Sequence, residues 1–75
     1  MPLFHFDISE DGRLITDEEG QELSDRDAVR REALKTGASI ARDVFIGGTA
    51  ERVVVDVREG NIPILKVSIS MVVEE

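Results

Sequence analysis

The amino-acid sequence predicts an α+β domain: an antiparallel sheet of three or four strands with one helix packed on one face, in the order β-β-α-β-β. Two observations predict it. Period-two alternation of apolar and polar residues marks both ends of the chain, and a 3.6-residue apolar arc marks its middle. Clusters of Asp and Gly punctuate the sequence between these segments. There is no internal repeat, low-complexity segment or linker, so residues 1–75 read as a single domain.

In the first strand, Leu3 to Ile8, Phe4, Phe6 and Ile8 point to one face and Leu3, His5 and Asp7 to the other. Ser9-Glu10-Asp11-Gly12 forms a turn in which Gly12 takes positive φ, and Arg13 to Thr16 forms a short second strand. Asp17-Glu18-Glu19-Gly20 breaks the chain again, and Leu23 gives an apolar anchor before the helix. Ser24 reads as the N-cap, with Asp27 three residues on as a weaker form of the capping box.

Val29, Ala33, Leu34, Gly37, Ile40, Ala41, Val44 and Phe45 fall within about half of the helix circumference and form its core face. Gly37, in the middle of that arc, costs roughly 1 kcal/mol relative to Ala. Either the helix bends or ends there, or the missing side chain lets it approach the sheet closely. The undisturbed arc to Phe45 favours one continuous helix, stopped by Gly47-Gly48.

In the second half, Val53, Val55 and Val57 alternate with Arg52, Val54, Asp56 and Arg58. Beyond a turn around Gly60-Asn61, Leu65, Val67, Ile69, Met71 and Val73 alternate with Ile64, Lys66, Ser68, Ser70 and Val72. Parity then constrains the hairpin, because cross-strand partners share a face. A two-residue Gly60-Asn61 loop sets Val55 opposite Lys66 and forces an ammonium into the core, at prohibitive cost. Pro63 has no N–H for a ladder, so a five-residue loop from Glu59 to Pro63 is expected. That loop places Arg58 opposite Ile64, Val57 opposite Leu65 and Val55 opposite Val67. A three-residue loop placing Val55 opposite Leu65 is the second choice.

Composition excludes several functions. Nine Lys and Arg stand against 16 Asp and Glu, a net charge of −7, so the chain repels phosphate. With no Trp or Tyr and only three Phe it has almost nothing from which to build a base-stacking surface, and no nucleic-acid partner is expected. The absence of Cys removes disulfides, thiolate metal sites and a Cys nucleophile, and suits a reducing cytoplasm. Met1 to Asp7 lacks the basic and apolar regions of a secretory signal, and no apolar run is long enough to cross a bilayer; no membrane partner is expected.

Three features of the sequence are candidate carriers of chemistry. His5 is the one side chain that titrates near neutrality unaided, but neither a nucleophile nor a substrate cleft accompanies it, so it reads as a strand histidine. Residues 1–25 carry eight acids and one base, and oxygen-rich turns can hold a divalent cation. Asp11, Asp17, Glu18 and Glu19 are accordingly weak metal-ligand candidates, although EF-hand spacing is absent. Residues 26–45 carry five bases and three acids; Arg31, Lys35 and Arg42 fall within about 40° of one another, opposite the core arc, and read as a solvated face or a docking stripe for an acidic partner. No Ser lies in a G-x-S-x-G elbow and no phosphate-binding loop is present, so an enzyme is not expected, nor any cofactor.

Phe4-His5-Phe6-Asp7-Ile8, Asp11-Gly12, Asp17-Glu18-Glu19-Gly20 with Leu23 and Asp25, and Ala28 with Glu32-Ala33 on the helix resemble a family of small uncharacterised bacterial proteins, a domain of unknown function. Val55-Asp56-Val57-Arg58, Gly60, Pro63 and Leu65 match its closing V-x-V-R…G…P-x-L hairpin, so the likeness covers nearly the whole chain. His5 stands where an aromatic residue is more usual. The resemblance implies a fold and a bacterial origin and brings no catalytic or binding residue.

The leading functional expectation is therefore a non-enzymatic cytoplasmic interaction module able to self-associate. Ile62, Ile64, Val54 and Val72 are expected on the face away from the helix and need cover, and Val67 to Val73 is an uncharged β segment prone to pairing at an exposed edge. Arg31, Lys35, Arg42, Ile64 and Val72 are the partner-binding candidates, with a second copy or an unknown protein as partner. The alternative is a weak divalent-cation or small-ligand binder that uses the acidic turns.

Overall fold

A computed structural model describes residues 1–75. Its elements are β1 (Leu3–Glu10), β2 (Arg13–Ile15), β3 (Gln21–Glu22), α1 (Arg26–Gly47), β4 (Arg52–Glu59) and β5 (Ile62–Ser70). The sheet order is β2-β1-β4-β5, and every pairing is antiparallel. The two-residue β3 also pairs with β1, through Leu3–Glu22 and Phe4–Gln21, and is an addition to the expected elements.

The core follows the alternation. Phe4, Phe6, Val53, Val55 and Val57 are buried on the sheet face under α1, where Val29 and Ala33 meet them. Val53, Val55 and Val57 are each no more than 1% exposed, and their burial contributes roughly 1.5–2 kcal/mol apiece. The helix presents Val29, Ala33, Gly37 and Ala41 to the sheet, a stripe that becomes small where contact is closest. A Cβ on Gly37 would lie 3.1 Å from Ile69 Cδ1 and 3.3 Å from Val55 Cγ2. Close approach, and not a bend, is therefore the reason for the glycine, and α1 runs unbroken through it.

The helix ends differ slightly from expectation. Asp25, one residue after Ser24, is the N-cap, its Oδ1 accepting from Ala28 N–H at 2.8 Å. Both residue types cap, and the aspartate adds a negative charge at the positive end of the helix dipole. Gly48, at φ 70°, closes the other end. Ile40 and Val44 are half-buried, and Leu34 is 45% exposed although it was expected in the core. A 22-residue helix is about 33 Å long, whereas an eight-residue strand is about 27 Å, so the last turns overhang the sheet.

The last hairpin corrects the expected loop. Glu59 pairs with Ile62 across a two-residue Gly60-Asn61 turn, with Gly60 at φ 60°. A β-bulge between Val57 and Arg58 then passes over Ile64 and restores the parity. Val57 lies opposite Leu65 and Val55 opposite Val67, as expected, but Arg58 faces Pro63 in place of Ile64. Lys66 lies opposite Asp56 on the open face. The bulge also turns Ile64 toward the helix side, where it packs on the core cluster. Its expected place on the face away from the helix is wrong for that reason. Val72 lies beyond the end of β5 and is 80% exposed.

Substitution at Gly37 tests the close approach. Gly37→Ala should change stability by less than about 1 kcal/mol, because the helix-propensity gain offsets the tight contact. Gly37→Leu should cost about 1–3 kcal/mol by overpacking against Val55 and Ile69. Urea denaturation of both variants measures the difference, and equal midpoints would refute it.

Candidate functional site

The polar groups with the most interactions gather at the outer edge of β1. The N–H of Phe6 points away from β4 in the interval between β2, which pairs with Ile8 to Glu10, and β3, which pairs with Leu3 and Phe4. The loop from Thr16 to Gly20 spans that interval and replaces the missing strand with one side chain. Asp17 Oδ2 accepts from Phe6 N–H at 3.0 Å, while Oδ1 accepts from the N–H groups of Glu19 and Gly20 at 3.2 and 3.1 Å. The Asp17 N–H donates in return to Asp7 Oδ1 at 2.9 Å.

Two nitrogen-bearing side chains of the open face, Arg58 and His5, complete the patch. Arg58 Nε donates to Asp7 Oδ2 at 2.8 Å, Nη2 donates to Asp17 O at 3.0 Å and Nη1 to Gly60 O at 2.9 Å. His5 Nδ1 lies 2.9 Å from the same Asp17 carbonyl, which can only accept, so Nδ1 carries the proton. Gly20, at φ 77°, closes the loop against β1; a Cβ there would lie 3.0 Å from both His5 Cε1 and Leu3 Cγ. Sequence reasoning saw His5, Asp7 and Asp17 separately. The signal that could have joined them was D-x-x-G beside an otherwise unpaired stretch of β1, the spacing of a side chain that folds back on its own turn.

Electrostatics follow from these bonds. The guanidinium of Arg58 holds the Asp7 carboxyl below its ordinary value, against an opposing push from burial, and Asp7 in turn raises Arg58. Burial pushes the Asp17 carboxyl up, but N–H donation from Phe6, Gly20 and Glu19 together outweighs it and the net direction is down.

The other acidic candidate is engaged in the same manner. Asp11, at φ 49°, and Gly12, at φ 84°, form the two-residue turn between β1 and β2. The Asp11 carboxylate accepts from Glu51 N–H at 3.1 and 3.2 Å and from Arg52 N–H at 2.9 Å, fastening this turn to the start of β4. Glu18 and Glu19 are exposed. They rim a shallow hollow of about 450 Å³, floored by Phe6, Ile8 and Ile15. The structure brings Asp17, Glu18 and Glu19 together there and leaves Asp11 on a separate hollow with Arg52, Asp56 and Lys66. No three His, Asp or Glu side chains converge as a metal-holding group.

Arg31, Lys35 and Arg42 are exposed on α1, and none lies within 4 Å of a carboxylate. No helix is long and apolar enough to cross a membrane.

Two substitutions test the patch. Asp7→Asn should lower stability near neutrality by about 1–3 kcal/mol. Because Asp7 and Asp17 are both depressed in the folded chain, their stabilisation is present above the ordinary Asp value of 3.8 and is lost as pH falls through the folded values. The wild-type denaturation midpoint should therefore fall more steeply than that of Asp7→Asn between about pH 5 and pH 2; parallel curves would refute the assignment. Gly20→Ala should cost at least about 1–2 kcal/mol, since it meets positive φ and a crowded Cβ position together, and a thermal melt reads it.

Neither a curated protein nor a solved structure matches the chain at significance. One family model matches over residues 3–70, from the first residue of β1 to the last of β5, and thus includes the whole Asp7–Asp17–Arg58 patch. Its description is "Domain of unknown function (DUF6894)", and by that match the chain belongs to the DUF6894 family.

Proposed function

We propose that the protein is a non-enzymatic interaction module of the bacterial cytoplasm that self-associates through the free edge of β5. The observation that carries this reading is the contrast between the two edges of the sheet. The outer edge of β1 is covered by β2, by β3 and, between them, by Asp17. Strand β5 closes the other side of the sheet with nine residues and no further partner. Lys66 is its one charged residue, and Lys66 Nζ lies 3.8 Å from Asp56 Oδ1, over the open face and not along the edge. A long, weakly charged edge is a template for another strand.

The side chains best suited to acid–base work support a non-enzymatic role, because they are spent on architecture. Asp7, Asp17, His5 and Arg58 bond one another's loops, and Asp11 holds the start of β4. The same bonds weigh against the cation-binding alternative, since the carboxylates of Asp11 and Asp17 already accept N–H groups and Glu18 and Glu19 alone remain.

Light scattering across low to high micromolar concentrations should show a dimer forming. Ser68→Pro should abolish it while the circular dichroism of the fold is retained, because proline is tolerated where a strand N–H faces solvent and blocks a new ladder there. A wild-type protein that stays monomeric throughout would overturn the reading.

A further inference from the structure

We infer that the strand received by β5 is β5 of a second copy, antiparallel about a two-fold axis at Ser68, which joins the two sheets into one; this rests on the edge-pairing reading above. The direction of the backbone groups comes first. The Met71 N–H donates to Glu51 O at 3.0 Å, so residue 71 faces the β4 side. Strand residues alternate, so Leu65, Val67 and Ile69 also face β4, which leaves the N–H and C=O groups of Lys66, Ser68 and Ser70 directed outward. Their side chains share the open face with their partners Asp56, Val54 and Arg52.

Symmetry then restricts the register. A two-fold axis normal to the sheet keeps both helices on one face and pairs residues of equal parity. With the axis at Ser68, Lys66 pairs with Ser70 of the second copy and Ser68 with its own counterpart, so all three outward residues find partners in about six ladder hydrogen bonds. With the axis at Val67, Ser70 falls opposite Ile64, where the bulge interrupts the strand. With the axis at Ile69, Lys66 falls opposite Val72, beyond the end of β5. The Ser68 register uses the whole regular part of the edge, and Pro63 and the bulge mark where it stops.

Side chains agree with this choice. Lys66 faces a serine and not another lysine. On the helix side Val67 meets Ile69 and Leu65 meets Met71 of the second copy, apolar pairs that favour cross-strand association. Charge is complementary beyond the ladder. Glu74 and Glu75 of the second copy follow Val72 toward the start of α1, where Arg26 and Arg30, with Asp27, line a hollow of about 170 Å³ over Ile64 and Leu65.

The chain contains no Cys, so single cysteines report the register against a clean background. Directly opposed antiparallel residues lie about 5.5 Å apart at Cα, within disulfide range. Under mild oxidation, Ser68→Cys should form a covalent dimer about tenfold or more faster than the exposed helix variant Ser39→Cys, because pairing holds two thiols at millimolar effective concentration. Lys66→Cys and Ser70→Cys should each crosslink no faster than Ser39→Cys alone, yet crosslink to one another when mixed. Light scattering on the reduced samples separates the two levels of the idea. A dimer in which Ser68→Cys crosslinks no faster than Ser39→Cys overturns this register and leaves edge pairing standing, whereas a monomer overturns both.

Discussion

One helix must cover a sheet wider than itself, and most of the structure follows from that constraint. A helix is about 10 Å across and strands are about 4.8 Å apart, so α1 covers roughly two strands. It lies over β4 and β5, and its Val29, Ala33, Gly37 and Ala41 stripe brings the two layers close enough to bury Val53, Val55 and Val57 almost completely. Phe4 and Phe6 of β1 join the same core cluster, and the rest of the β1 side of that face is left to other means. Leu23 packs against the core from the loop before α1, and its N–H donates to Pro2 O, which ties the end of that loop to the start of the chain. What stays open is the hollow beside Ile8 and Ile15, with Ile15 still 55% exposed.

The patch at Asp17 solves a second problem of the same small chain. The segment that returns along β1 pairs only at its two ends, and in the interval between the two short strands one carboxylate takes the Phe6 N–H. That carboxylate is held by its own turn and by a return bond to Asp7, which Arg58 orients from the neighbouring strand. His5-Phe6-Asp7, Asp17-x-x-Gly20 and Arg58 are thus three parts of one fastening between a loop and two strands. Each of these side chains is held by the bonds it makes within that fastening.

Much of this was legible in the sequence because it rests on periodicity. The 3.6-residue arc located α1, and the valine alternation located the buried face of β4. Parity, with Pro63 deciding between the loops it permits, was enough to pair Val57 with Leu65 and Val55 with Val67. The bulge was not legible, since a two-residue turn with one residue passed over satisfies parity as well as a longer loop does, and that omission put Ile64 on the wrong face. Nor was β3, because Gln21-Glu22 carries no apolar alternation and pairs only through its backbone. Nor was the engagement of Asp17 legible, because an acidic turn looks the same whether its oxygens are free or already accept three N–H groups.

The two edges of the sheet show opposite treatments of one liability, and the difference bears on function. An unpaired strand edge invites pairing, and β1 answers with two short strands, a part-buried hydrogen bond to Asp17 and the Arg58–Asp7 ion pair beside it. Strand β5 has a proline and a bulge at its first residues, which end pairing there, and a single lysine that Asp56 draws over the open face. From Leu65 to Ser70 it has no other charge. Guarding the rest of that edge would take one more charged side chain at Ser68 or Ser70, both exposed positions where a charge carries little cost to folding. A chain with charged residues at one third of its positions that keeps serines at these two leaves the ladder groups of Lys66, Ser68 and Ser70 available, and under the proposed pairing those are the groups a second copy of β5 engages.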